Sequence, residues 1–460
     1  MTEMNLTAGD VVIEDIFITT EESGTVDLIN FVMQFEIYMS VESNSMTMNV
    51  HIADSAGLIT AMPILGQEKL TVRFTTPNVD ESFFRTFIVH TISNRSLNRD
   101  REQRYTLECI SEEAYINQTT RLTNKFSGAT DVLAETIFES VASPRITFAD
   151  GQQSSKSSMS VLDTPFSTNN FEFNCNYWSP FKALNFLASR SRGNTCRKTN
   201  VLFFEGKSNF NFTPLEHLVK TQKDVKSIYD EYTTVESQEA PIYRDVRDKT
   251  YKYQTKYLNS KYHTIQSMDY PFFKSLVKNN ATGFHATSVF SYDFVTKRFL
   301  NMKYDNRPES SAIAEQDKRY LRESFSDFTP IGSYNTITDN TRADPLANRR
   351  FTPMSTSPYG SSYSRGVEQV RNQLVRNFAM TELNNQAIEI TVPGKADVDV
   401  GLLTRLIFPR TEDKTSQPKI DELEDPFVSG LYMITAVKHV IRPQNHTMTL
   451  RLVRDSLGGL

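Results

Sequence analysis

Phe31-Val32-Met33-Gln34-Phe35-Glu36-Ile37-Tyr38-Met39-Ser40-Val41 decides the fold class. Its odd positions are all large and apolar, while Gln34, Glu36, Tyr38 and Ser40 fill even ones. Alternate side chains of a strand point to opposite faces, so this run predicts one buried and one wetter face. A polar break at 42–45 follows, and alternation resumes with Met46, Met48, Val50 and Ile52 against Thr47, Asn49 and His51. Two such runs around a short polar break predict a hairpin. Further strands are expected at Lys69 to Thr75, Arg85 to Ile92 and Arg104 to Ile110. One-sided burial is the antiparallel pattern, so residues 1–112 read as a small antiparallel sheet or barrel.

Beyond residue 112 the pattern changes. Thr130 to Phe138 has helical spacing, and Pro144 marks where that helix has ended. The stretch 151–158 is polar, Ser-rich and loop-like. In Tyr177-Trp178-Ser179-Pro180-Phe181-Lys182-Ala183-Leu184-Asn185-Phe186-Leu187-Ala188-Ser189-Arg190, Ser179 suits an N-cap and Pro180 the first helical position. Phe181, Leu184, Leu187 and Ala188 form its apolar stripe, and Gly193 suits its end. A hairpin is expected next: Val201 to Phe204, a turn at Glu205-Gly206-Lys207-Ser208, then Phe210 and Phe212. Residues 219–262 have weak periodicity. Strand patterning returns over Phe284 to Tyr304, with Phe284, Ala286, Phe290, Tyr292 and Phe294 on one parity. A long polar stretch from 306 to about 365 precedes a helix at Gly366 to Glu382. Loops of that length are uncommon unless they serve an interface. Strands are expected again at Ala387–Val392, Gly401–Phe408, Gly430–Ile441 and Asn445–Arg454. Two β-units are therefore expected, the second split by the insertion.

Composition removes several function classes. The 460 residues are 38% hydrophobic, enough to build real cores, so wholesale disorder is excluded. No run approaches the ~20 apolar residues of a membrane-spanning helix. The start, MTEMNLTAGDVVIEDI, lacks the basic and apolar regions of a secretory signal. Fifty Lys+Arg against fifty-five Asp+Glu gives −5, which disfavours dedicated nucleic-acid binding. The three cysteines, Cys109, Cys175 and Cys196, are too scattered for a disulfide framework or a zinc site.

A search for chemistry returns no catalytic, metal-binding or cofactor-binding residue. The seven histidines form no HExxH pair, though His439 and His446 fall on adjacent expected strands and read as hydrogen-bonded structural residues. No GxSxG elbow, P-loop or GxGxxG is present. Asp397 and Asp399 alternate with valine and read as the solvated face of a strand or turn. Arg349, Arg350, Arg365, Arg371 and Arg376 read as a solvated basic face. A β-rich chain with long polar loops and no reactive constellation suits holding other proteins together.

The helix at Trp178 to Arg190, the strand pair Asn200 to Glu205 and Phe210 to Phe212, and the ending Ser429 to Val440 with Leu450 to Ser456 resemble central hub proteins of contractile phage-tail baseplates. Those are related to the hub part of type VI secretion spike proteins. The resemblance implies a mainly β fold with α+β insertions: two tube-like antiparallel β-barrel or sheet domains plus two inserted domains. It places the first tube-like domain at 1–112, an α/β insertion at 113–218, and the second tube-like domain at 219–305 with 386–460. A long polar insertion with one helix covers 306–385 and matches no motif. It further implies a non-enzymatic homotrimer whose six similar domains match a sixfold tail tube on one side and a threefold spike on the other. The implied setting is a virion tail baseplate, assembled in host cytoplasm. The implied partners are the tube or tube-initiator protein, peripheral baseplate proteins and, as a further candidate, the tape measure protein. The chain stops at Gly458-Gly459-Leu460, so a separate spike protein is expected. No cofactor, specific nucleic-acid binding or membrane insertion is implied. Three copies at −5 each would carry −15, and a bore they line is not expected to grip DNA. Two other readings compete. One is a receptor- or carbohydrate-binding tail protein using Tyr251, Tyr253, Tyr257 and Tyr262; the other is a cell-wall hydrolase, which the missing acid/base pair disfavours.

Overall fold

The alternation that opens the sequence becomes a strand with Phe35, Ile37 and Met39 buried and Gln34, Glu36, Tyr38 and Ser40 half-buried on the other face. The molecule is seen here as a computed structural model. It describes residues 8–20, 24–97 (apart from 63, 78 and 80), 102–142, 157–162, 171–191, 193, 201–219 (apart from 216), 230–233, 262–273, 286–305 (apart from 295), 349–354, 370, 373, 376, 380, 386–407 and 428–454. The N-terminal strands are β1 (Val12–Thr20), β2 (Gly24–Asp27), β3 (Val32–Ser40), β4 (Thr47–Asp54), β5 (Lys69–Thr75), β6 (Ser82–Leu97) and β7 (Gln103–Ser111), with a short α1 (Leu58–Ala61). The expected parity of β3 holds only from Gln34 onward. A register shift between Val32 and Gln34 turns Met33 outward and buries Val32.

The middle of the chain supplies α2 (Glu112–Thr119), β8 (Lys125–Gly128), α3 (Thr130–Ala142), β9 (Met159–Val161), β10 (Phe171–Asn174), α4 (Pro180–Ala188), β11 (Val201–Glu205) and β12 (Phe210–Pro214). The apolar stripe of α4 is buried as expected, in a cluster with α3, Phe203 of β11, and Phe210 and Phe212 of β12. Its cap differs from the expectation. The Ser179 hydroxyl does not cap the helix; Asn117 of α2 reaches in, and its Oδ1 accepts the Phe181 N–H at 2.8 Å. A long-range partner has replaced the local one, so α2 and α4 are tied together. Gly193 lies beyond the end of α4 at Ala188, and the Ser191 hydroxyl bonds back to the Leu187 carbonyl instead.

The remaining strands are β13 (Asp230–Thr233), β14 (Ser267–Phe273), β15 (Ala286–Asp293), β16 (Arg298–Asp305), β17 (Arg349–Met354), β18 (Gln386–Pro393), β19 (Leu403–Ile407), β20 (Gly430–Arg442) and β21 (Asn445–Arg454). Within the stretch 284–304, read as strand patterning, β15 and β16 pair as an antiparallel hairpin, while Phe284 lies outside the described residues. The polar insertion, expected to hold one helix, also supplies β17. It pairs in parallel with β15 to give a small sheet ordered β16-β15-β17. Of the expected helix at 366–382, Val370, Gln373, Arg376 and Met380 are described, and all are helical.

The molecule is mainly β with helical insertions. Of the two forms expected, sheet or barrel, no closed barrel is found among the described residues. The main sheet instead runs in one open order, β14-β18-β21-β20-β3-β4-β7-β6-β5-β1-β2, with β19 and β13 branching from β20. Strands from both ends of the chain meet where β20 pairs with β3, from Ala436↔Ser40 to Ile441↔Phe35. One edge of β20 serves two partners in succession: Gly430 to Met433 pair with β19, and Ala436 to Ile441 with β3. The change of partner falls at the bulge between Ile434 and Ala436. There the Thr435 carbonyl accepts the Val41 N–H at 2.9 Å and the Ile434 N–H donates to Leu402 at 2.9 Å. The inward faces on both sides of this seam share one apolar cluster, containing Phe35, Ile37, Phe74, Ile390 and Leu450.

His439 and His446, expected as separate structural residues, are partners. Nδ1 of His439 and Nε2 of His446 lie 3.0 Å apart, both rings fully buried against Phe74, with Phe83 flanking His439. Burial, with the Lys207 charge nearby, pushes His439 down to about 3, and burial beside His439 holds His446 well below its usual range. The pair is neutral in the folded protein. Gly394 makes room for it: a Cβ there would lie 2.1–2.4 Å from the His446 ring.

Gly394→Ala is expected to cost about 1–3 kcal/mol in urea unfolding, because a buried ring must move. The unfolded chain binds protons on these histidines more readily than the folded one. Their contribution is therefore intact above pH 6.5 and lost as the pH falls toward about 3. The slope is about 1.4 kcal/mol per pH unit for each histidine. Ring resonances of both should keep neutral-imidazole shifts between pH 7.5 and 5; movement of either would contradict the buried neutral pair.

Candidate functional site

The turn Glu205-Gly206-Lys207-Ser208, read from sequence as an ordinary hairpin turn, is where three parts of the chain meet. Gly206 closes the turn by donating to the Asn209 carbonyl at 2.9 Å. From the N-terminal strands, Arg85 of β6 donates through Nε to the Lys207 carbonyl at 2.9 Å and through Nη2 to the Gly206 carbonyl at 3.0 Å. Glu81 pairs with the Lys207 ammonium at 2.7 Å. From the C-terminal segment, Asp399 Oδ1 accepts the Lys207 N–H at 2.9 Å and its neighbour Val400's N–H at 2.7 Å. The crossing is close at Gly206, where a Cβ would sit 3.0 Å from both Asp399 Oδ2 and Asn211 Nδ2.

Glu205 lies at the centre and is fully buried. Its Oε2 accepts the Met46 N–H at 2.7 Å, and Oε1 is 3.8 Å from Arg85 Nη2. Burial and the Glu113 carboxylate push Glu205 up to about 7, against the pull of Arg85 and the Met46 amide. Burial also raises Asp399, opposed by its two amide donors and by Lys207 and Arg85. Beside this cluster, Lys69 and Glu112 approach to 3.6 Å, and burial lowers the lysine although Glu112 opposes it. The carboxylates of Glu81, Glu112, Glu205 and Asp399 each meet an amide or a cation of another segment. The arrangement holds three segments in register.

Asp399 is therefore not on a solvated face, as expected from its alternation with valine. Asp397 is half-buried, with Lys395 at 3.9 Å. Of the expected basic face, Arg376 is largely buried and donates to the Val201 carbonyl of β11; burial lowers it to about 10. Arg350 is half-buried, Arg365 and Arg371 lie outside the described residues, and the side chain of Arg349 is not described. Tyr262, offered as a sugar-stacking residue, is buried at 2% exposure near the Pro77 carbonyl, while Tyr251, Tyr253 and Tyr257 lie outside the described residues. Cys109 and Cys175 are buried free thiols raised by burial, and Cys196 lies outside the described residues. Among the described residues no group of three or more His, Cys, Asp and Glu is placed to hold a metal ion. No helix among them is long and apolar enough to cross a membrane.

A second feature is the outer face of the main sheet. Across the seam, Lys438 of β20 pairs with Glu36 of β3 at 3.2 Å, Tyr38 donates to the same carboxylate, and Arg442 donates to Gln34 at 2.8 Å. Burial would raise Glu36, but the Tyr38 hydroxyl and Lys438 prevail and lower it. Where Ser40 faces Ala436 the small side chains leave a groove of about 330 Å³, bordered by Tyr38, Thr47, Glu389, Lys438 and Arg451. Sequence alternation reveals this face. It does not reveal which strands lie side by side.

No family model and no curated protein matches the sequence. The fold is similar to that of a tail protein from Neisseria meningitidis MC58, at TM-score 0.50 and 10% identity over 96% of each chain. It is equally similar to the 43 kDa tail protein of prophage MuSo2 from Shewanella oneidensis, at TM-score 0.50 and 11% identity. That match covers 96% of this chain and 98% of the other. The likeness is one of fold.

Glu205 generates a prediction opposite in sign to that of the histidines. Its folded-state value is raised, so its contribution is fully present below pH 4.5 and declines as the pH rises to about 7. Hydrogen exchange of the Met46 amide should accelerate between pH 5 and 8 beyond the intrinsic chemistry, and Glu205→Gln should remove that excess. An unchanged pH response in the variant would assign the effect elsewhere.

Proposed function

We propose that this protein is the structural hub of a phage tail baseplate. Three copies form a ring with pseudo-sixfold symmetry, joining a sixfold tail tube to a threefold central spike and leaving a channel for DNA. The observation that carries the reading is the seam between β3 and β20. It makes strands from the two ends of one chain into neighbours, as a subunit with two tube-like domains requires. The fold likeness to two tail proteins over nearly the whole chain supports the same reading. In this reading the domains are 1–112, 113–218, 219–305 with 386–460, and 306–385. The turn at Glu205 keeps the α/β insertion fixed to the ring.

The polar outer face of the main sheet is the surface assigned to the channel. Its charges are of mixed sign, with Glu36 paired to Lys438 at the centre, so passing DNA meets no continuous basic track. The protein works by shape and contact, without catalysis or cofactor, in the virion tail. Its partners are the tube or tube-initiator protein, the central spike, peripheral baseplate proteins and, as a candidate, the tape measure protein.

Light scattering of purified protein at rising concentration should reach a mass three times that of the chain. An electron-microscopy map of the tail tip should place three copies around the axis between tube and spike. A map with this chain off the axis, or in six copies, would refute the proposal.

A further inference from the structure

We draw no further inference here: the strongest candidate, the aromatic face of the β16-β15-β17 sheet, where Tyr292, Phe299 and Phe351 are exposed while Ser291 and Asp293 are buried, carries nothing because nothing in the structure shows what covers it.

Discussion

The backbone ladder between β3 and β20 is the constraint on which the rest of the molecule depends. Residues some 400 positions apart are joined there, Ala436 to Ser40 and Ile441 to Phe35, by hydrogen bonds that carry no side-chain identity. Their placement comes from the two faces of the sheet. Inward, Phe35, Ile37, Val437 and Ile441 enter a common apolar cluster, and a one-residue slip would send them all outward. Outward, Lys438 meets Glu36 only in the observed register. Such distant pairing closes a very long loop, so the seam cannot reward the chain until both sheet halves exist.

The turn at Glu205 complements the seam and differs from it in chemistry. The seam is apolar on one side and its register is fixed by many small contacts. The turn is fixed by a few charges, Glu205 and Lys207 buried and Arg85 and Asp399 half-buried. Buried ion pairs are weak contributors to net stability because desolvation offsets their attraction, while removing one partner leaves a costly orphan. Such a cluster discriminates among arrangements more than it strengthens any one of them. That suits a place where the α/β segment must be held at one angle against strands from both ends of the chain.

Much of this was legible along the chain and little of it across the chain. Strand alternation at 35–41, 46–52 and 445–454, the stripe of α4 and the hairpin at 201–212 follow from local periodicity, which burial obeys. The exceptions come from long-range partners. Asn117 replaces Ser179 as the cap of α4, and a bulge reverses Met33. Asp399 looks solvated because it alternates with valine, yet a turn nearly two hundred residues earlier covers it. β17 hides in a polar stretch because a parallel strand on a small sheet needs no strong pattern of its own. The Glu205 turn was read as a turn, but no local signal shows that a carboxylate in it will be buried against Met46 and Arg85.

The small sheet raises the question of why its aromatic parity faces out at all, since a one-residue slip of β15 would bury the rings and release Ser291 and Asp293. The turn forbids that slip. Asp293 holds the Thr296 hydroxyl, and Lys297 takes a left-handed backbone conformation with φ of 55°, which together fix Asp293 opposite Arg298. The register is thus set by turn chemistry against the preference of the strand faces. The main sheet shows the opposite balance, with polar residues outward and hydrophobic ones inward on strand after strand. Two sheets of one chain therefore turn faces of contrasting character outward, one polar and the other aromatic.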